Sequence, residues 1–414
     1  MMRALVIGAG IGGLTAALKL QARGIEVRVF ESVREIRALG VGINLLPHAA
    51  RELIDLGLGP ALAANAIETR ALKYMTRHGQ EIMEDPFGLA AGFCWPQYSI
   101  HRGVLQMILL DAARRRLGPD AIVTGHHLHG FEQDEKGVTA VFRDRTRGDA
   151  LTIQRGDLLV GADGIHSSVR GRLYPDEGLP PESGITMWRA TIETEPFLDG
   201  RTMIIAGHSH QLAVIYPLSP EAARRGRSLI NWVAVLRHGI GRQRCPDWSR
   251  EGRHEDFLPC FAGWKFRCLD IPEMFRASRR VLEYPMVDRD PVDRWSFARV
   301  TLLGDAAHPM YPNGGNGAAQ AILDAEALAA ALVGAEGDVV GALERYESER
   351  LAATTAVTLS NRQLGPERVL QMAEERIRGP EDDIATILPR EELEAVTKGY
   401  RRIAGYDVEA LNRK

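Results

Sequence analysis

Cysteine is scarce in this sequence, with only Cys94, Cys245, Cys260 and Cys268 among 414 residues. No two form a Cys-x-x-Cys pair and none has a histidine pattern nearby. A disulfide scaffold and a metal site are therefore not expected, and free thiols in a reducing compartment are. Long apolar runs are missing as well. Leu5-Val6-Ile7 is interrupted at once by glycine, and no stretch reaches the ~18 apolar residues that span a bilayer. No leader-like apolar region with a cleavage signal is present, so a cytoplasmic location without membrane attachment is expected. A large charge of one sign is also lacking. The net charge is −3, and the short basic run Arg114-Arg115-Arg116 reads as a solvated face, so nucleic acid is not an expected partner.

What is present is ordinary globular composition and glycine at telling places. The length suggests two or three compact units. Residues 3–7 read as a buried strand, 12–23 as a helix ended by Gly24, and 25–30 as a second strand, a β-α-β unit that favours a parallel sheet. Further on, 99–117 read as helix, and 121–129, 137–143 and 158–160 as strands. Residues 203–206, 211–218 and 228–236 read as antiparallel strands joined by turns. Residues 300–303 return to the buried-strand pattern, 318–332 form a helix, and 340–414 are mainly helical. The expected class is α/β with α+β character. A discontinuous Rossmann-like unit (1–70, 97–178 and 281–363) is interrupted by a sheet-rich unit (71–96 and 179–280), and a helical segment (364–414) closes the chain.

Three motifs carry chemistry. In Gly8-Ala9-Gly10-Ile11-Gly12-Gly13, Gly8 permits a tight turn, Gly10 lets a pyrophosphate approach the backbone, and Gly13 lets helix and strand pack closely. The helix start offers free N–H groups and a positive dipole end, worth up to about 2 kcal/mol to an anion. Glu31, followed by Ser32, ends the second strand where a carboxylate can bind a ribose hydroxyl. A strand also runs into Gly161, Asp163 and Gly164 within residues 157–170. Another, in residues 300–309, ends at Gly304-Asp305, where a carboxylate can accept from a polyhydroxylated chain. The loop Pro312-Asn313-Gly314-Gly315-Asn316-Gly317 then precedes a helix whose N–H groups suit an anionic ring edge.

These motifs, in this order, resemble those of the flavoprotein aromatic hydroxylases, the family of para-hydroxybenzoate hydroxylase and salicylate hydroxylase. The resemblance implies an FAD-binding domain of that type with an inserted antiparallel-sheet substrate domain. It places Gly8, Gly10, Ile11, Gly12, Gly13, Glu31 and Ser32 on the ADP half of FAD, with Leu128 also at the cofactor. Arg102 in Ser99-Ile100-His101-Arg102 matches the family arginine near the pyrophosphate. Val41, Gly42 and Ile43 match the segment beside the isoalloxazine. Asp163 falls in a motif serving FAD and NAD(P)H, and Asp305 falls at the ribitol. Gly315, Asn316, Gly317 and Ala318 fall at the flavin ring. The chain departs from many members in having Ala318 and Ala319 where an asparagine follows the last glycines. Residues 183–189, 197–200 and 284–291, with Tyr311-Pro312, are most similar to phenazine-hydroxylating members. The similarity fades after about residue 360.

The resemblance implies a monooxygenase. NADH or NADPH reduces bound FAD, O2 forms a flavin C4a-hydroperoxide, and one oxygen atom enters an aromatic or N-heteroaromatic ring such as a phenazine carboxylate. Only one dinucleotide motif follows a strand, so NAD(P)H is expected to bind transiently. Such chemistry asks for a dry pocket with few polar groups. Trp188, Arg189, Tyr216, Met310 and Pro312 are the pocket candidates. Two of them have a plainer reading, Tyr216 as core packing and Arg189 in a structural salt bridge, and His308, a tempting base, reads rather as a packed loop anchor. No catalytic base is assigned. Asp288, Arg289 and Asp290 read as a surface or interdomain charge network. An FAD dehydrogenase or reductase without oxygen insertion and a non-catalytic flavin redox sensor are the competing functions. A flavin halogenase would need a Trp-x-Trp-x-Ile-Pro segment, which is absent. A monomer or homodimer fits either case.

Overall fold

Five short strands form a parallel sheet in the order Val300–Leu302, Leu158–Gly161, Arg3–Ile7, Glu26–Phe30, Ile122–Val123 in the computed structural model. The structure describes residues 2–239, 250–335 and 337–413, so Cys245 lies outside it. The central strands are apolar on both faces, as a sheet covered on both sides requires. Leu5, Val6, Leu158, Leu159 and Val160 are fully buried. Helix Ile11–Ala22 crosses from the first strand to the second and packs against helices Arg102–Leu117 and Gly317–Leu332. An antiparallel meander, His126–Asp134, Gly137–Asp144 and Ala150–Gly156, leads into the Leu158–Gly161 strand. Phe142 of the meander stacks on Phe30 at 4.3 Å and joins the two sheets.

The second large sheet has seven strands: Leu282–Pro285, Ile185–Thr194, Ser228–Arg237, Gln211–Pro217, Thr202–His208, Ala71–Met75 and Glu81–Pro86. It departs from the antiparallel expectation at one pairing, because Thr202–His208 runs parallel to Ala71–Met75. A parallel neighbour needs a long crossover. The chain supplies one by leaving this sheet after Pro86 and returning only at Ile185. Side chains alternate across the strands. Trp188 and Ala190 meet the core of Phe257, Phe261 and Phe275 on one face, while Met187 joins Val233, Val235 and Met286 on the other.

Residues 99–101 are a second departure. They belong to strand Gln97–His101, and the helix starts only at Arg102. The strand is central, paired with Gly42–Leu45 on one side and Ile67–Thr69 on the other. Pairing on both edges and burial of Tyr98, Ser99 and Ile100 override local helical preference. The C-terminal part is helical: Val339–Arg362, Arg368–Arg376 and Arg390–Ile403 are its main helices. Among the described residues no helix is long and apolar enough to cross a membrane.

Candidate cofactor and substrate site

The turn after the first strand puts Gly8 at φ +102°, where a Cβ would lie 2.5 Å from the Ala162 carbonyl oxygen. A Cβ on Gly13 would lie 2.1 Å from the Gly8 carbonyl oxygen, and one on Gly12 would lie 2.9 Å from Leu303 Cδ2. These glycines answer to the protein's own packing. Gly10 does not, since a Cβ there meets nothing within 4 Å. The open space lies over the start of helix Ile11–Ala22, which has no side-chain cap, so its first N–H groups are left for a ligand. The Glu31 carboxylate accepts from the Ala9 N–H at 2.9 Å, the Val33 N–H at 2.9 Å and the Ser32 hydroxyl at 3.1 Å. It anchors the glycine turn and retains acceptor capacity. Leu128 lies opposite Phe142 in the core. Arg102 is exposed, and its side chain runs past Gly40.

The two aspartates at strand tips are used differently. Asp163 turns back onto its own chain, accepting from the Ser167 hydroxyl at 2.5 Å and the Ser168 N–H at 2.6 Å. Burial pushes its carboxyl up against the pull of these donors. It organises the start of helix Ser168–Leu173. Asp305 is exposed, with Oδ1 3.9 Å from where a Cβ of Gly317 would stand. Behind it, His308 Nε2 lies 2.5 Å from Asp324 Oδ2, and Arg350 Nε donates to Asp324 Oδ1 at 2.8 Å. The Gly304 N–H also reaches Asp324, at 3.1 Å. Burial would raise the Asp324 pKa, yet His308 and Arg350 hold it at about 2. His308 is thus the packed loop anchor. In the next loop Gly314 and Gly315 stand at φ +65° and +66°. Asn316 is buried, its amide donating to the Tyr400 hydroxyl at 2.9 Å. Helix Gly317–Leu332, which begins with Gly317 and Ala318, has no side-chain cap.

The segment around Val41, Gly42 and Ile43 is fastened to the large sheet. The Gly42 N–H donates to Asn231 Oδ1 at 2.8 Å, and its carbonyl accepts from Arg189 Nη2 at 3.0 Å. A Cβ on Gly42 would lie 2.7 Å from the Tyr216 ring. Asn231 Nδ2 and Arg189 Nε are buried without a partner among the described residues. Burial pushes the Tyr216 hydroxyl pKa up, opposed by Arg189 and Asn231 beside it. Arg189 therefore holds backbone rather than the carboxylate expected of a structural salt bridge. On the same face, Met187, Val233, Val235, Tyr284 and Met286 form an apolar patch, with Tyr311 packed against it.

Three of the pocket candidates, Trp188, Met310 and Pro312, are not part of this patch. Trp188 follows Met187 by one residue and so points to the opposite face, stacked on Phe257 at 5.2 Å. Met310 packs on the main core, Pro312 is exposed, and Tyr311 between them is the residue that meets the patch. Asp288, Arg289 and Asp290 form a charge network that is buried at Asp288 and Arg289 and exposed at Asp290. Asp288 is buried and paired with Arg362 at 2.7 Å, which also holds Asp290, while Arg289 pairs with Glu177 at 2.9 Å.

The FAD-binding domain family matches residues 1–239 and 266–360 of the chain. The chain belongs to this family. It is 48% identical over 401 residues, 96% of both chains, to the phenazine 1,6-dicarboxylic acid hydroxylase PhzS of Lysobacter antibioticus. It is 35% identical, over 88% of each chain, to the 3-amino-4-hydroxybenzoate 2-monooxygenase PtnB3 of Streptomyces platensis. Klebsiella pneumoniae HpxO, solved with FAD and uric acid, superposes with a TM-score of 0.75 at 25% identity, over 99% of this chain and 97% of that one. The residues fit this family's cofactor: open space at Gly10, an exposed carboxylate at Asp305 and unpartnered buried donors beside Gly42. Asn231, Tyr284 and Tyr311 are missing from the sequence-based candidates. Asn231 had a visible signal, being the one polar residue within the apolar run 229–236.

Proposed function

We propose that this FAD-binding protein is an NAD(P)H-consuming aromatic monooxygenase whose substrate is a planar carboxylated N-heteroaromatic of the phenazine type. The overall change is ArH + NAD(P)H + H⁺ + O2 → ArOH + NAD(P)⁺ + H2O. The carrying observation is the apolar patch of Met187, Val233, Val235 and Met286, bordered by Arg189 and Asn231, which flank the Tyr216 hydroxyl and whose Nε and Nδ2 are buried without a well-formed hydrogen bond among the described residues. A flat ring system suits the patch, and a carboxylate or carbonyl oxygen suits the donors. The hydroxylase named for phenazine 1,6-dicarboxylic acid, 48% identical, supports the same substrate class.

The glycine turn, Glu31 and Ser32 would hold the ADP half of FAD, Asp305 the ribitol, and Gly42 and the loop at 312–317 the ring, with Arg102 and Asp163 serving beside them. FAD, when bound, supplies electron transfer from NAD(P)H and activation of O2. The chain's own part is to bind, orient and keep dry. Arg189, Asn231 and Tyr216 orient the substrate, Tyr284 and Tyr311 wall the slot, and the apolar patch excludes water. NAD(P)H binds in passing. Residues 1–70, 97–178 and 281–363 form the cofactor unit, 71–96 and 179–280 the substrate unit. The protein works in the cytoplasm as a monomer or homodimer.

The test is a screen of phenazine carboxylates, salicylate-like acids and hydroxypyridines for stimulated NADH and NADPH oxidation by FAD-loaded protein, followed by turnover under ¹⁸O2. A phenazine carboxylate should give coupled turnover and labelled product. Coupled turnover with a monocyclic acid and none with any phenazine would refute the substrate. Unlabelled product would refute oxygen insertion and leave a dehydrogenase.

A further inference from the structure

The loop from Tyr311 to Asn316 is held chiefly from the C-terminal segment, which begins where the family match ends at residue 360. Asn361 Nδ2 donates to the Tyr311 carbonyl at 2.9 Å. Glu367 Oε1 accepts from the Gly314 N–H at 3.0 Å, and Oε2 from Asn313 Nδ2 at 3.4 Å. The Tyr400 hydroxyl accepts from Asn316 Nδ2 at 2.9 Å and donates to Asn361 Oδ1 at 2.8 Å, with the Asn313 carbonyl at 3.2 Å. Its ring is wedged between Gly314 and Gly365, since a Cβ on either would come within 3.0 Å of it. Asn316, Asn361 and Tyr400 are all buried.

A turn bond from the Gly315 N–H to the Pro312 carbonyl at 2.9 Å and an Asn316 amide contact to the Gly314 carbonyl at 3.3 Å shape the loop internally without fixing its place against the rest of the fold. Two successive glycines at positive φ have many other conformations open to them, and an external frame must select this one. We infer that Glu367 and Tyr400 are positioning residues for the flavin. They hold the loop in the turn that presents Tyr311 to the apolar patch and the uncapped start of helix Gly317–Leu332 to the ring. The inference rests on reading this loop as the seat of the flavin edge. Burial pushes the Glu367 carboxyl up to about 7, against its backbone and amide donors. Near neutral pH a glutamine is therefore a close substitute that keeps the acceptor for Gly314.

The test uses the full chain, stripped of FAD and titrated with it by flavin fluorescence, in the variants Tyr400→Phe, Glu367→Ala, Glu367→Gln and Arg376→Ala. Arg376 lies on the same segment and pairs with Glu392 in an exposed contact. Melting of each apo protein and the share of NAD(P)H electrons released as H2O2 are read alongside. Tyr400→Phe and Glu367→Ala should raise the FAD dissociation constant about tenfold and increase H2O2 release at temperatures where each apo protein is fully folded, while apo melting falls through the buried groups left unpaired. Glu367→Gln and Arg376→Ala should match the parent in FAD affinity and H2O2 release. Parent-like binding and coupling in Tyr400→Phe and Glu367→Ala would overturn the inference. So would losses confined to temperatures at which the apo protein is partly unfolded. A parent chain that takes up no FAD would bring down the functional reading beneath it, and this inference with it.

Discussion

Arg189 and Asn231 each spend one polar atom on the backbone of Gly42 and keep another buried and without a partner among the described residues. An unmatched buried donor costs about 1–3 kcal/mol, a cost a fold retains where a ligand removes it. Asp305, proposed for the ribitol, and Asp324 differ in the same way. The Asp305 carboxylate is exposed, so Asp305→Ala should leave apo melting unchanged and weaken FAD retention about tenfold through a lost charge-assisted hydrogen bond. A tightly loaded, fully yellow variant would count against that role. Asp324 is fully buried between His308 and Arg350. Asp324→Asn leaves Arg350 without its counter-charge and should lower the unfolding free energy by about 3–5 kcal/mol in urea titrations at pH 7.

Among elements, the glycine turn separates two requirements that the motif alone merges. A Cβ on Gly13 would collide with the Gly8 carbonyl, whereas one on Gly10 meets only open space. Gly10→Val should therefore melt as the parent does when apo and bind no FAD, while Gly13→Ala should already melt lower without cofactor. Equal apo melting of the two variants would show that the turn tolerates a Cβ at Gly13. The elements around this turn were legible because buried parallel strands are short apolar runs and the crossover helix ends at Gly24, at φ +77°. Strand Gln97–His101 was not legible. Its identity comes from two neighbours, at Gly42–Leu45 and Ile67–Thr69, both more than 25 residues away along the chain.

For the whole molecule, buried titratable groups near the C-terminal junction set opposing pH dependences. Burial raises Glu367 from 4.5 to about 7. The unfolded chain then loses that proton first, so the Glu367 contribution is fully present below about pH 4.5 and is lost as pH rises through 7. Burial, with Arg350 and Arg51 nearby, lowers His48 from 6.5 to about 3. Its contribution is fully present above pH 6.5 and is lost as pH falls towards 3. Glu367→Gln removes the first effect alone. Relative to the parent it should gain on the order of 3 kcal/mol of unfolding free energy between pH 4.5 and 8, at about 1.4 kcal/mol for each tenfold change in proton affinity. A pH-independent difference between the two proteins would refute the assignment.

The glycine turn, Glu31, Asp305 and most of the strands and helices were determined by sequence alone, because backbone freedom, burial on both faces and helix starts are local properties written in consecutive residues. The pocket was not. Which of Met187, Trp188 and Arg189 lies on the Gly42 side depends on which face of the sheet meets that segment, and one residue of register reverses the answer. Asn231 at Gly42, Tyr311 at the apolar patch and Tyr400 at Gly314 are meetings between distant parts of the chain. Only the folded packing brings them together.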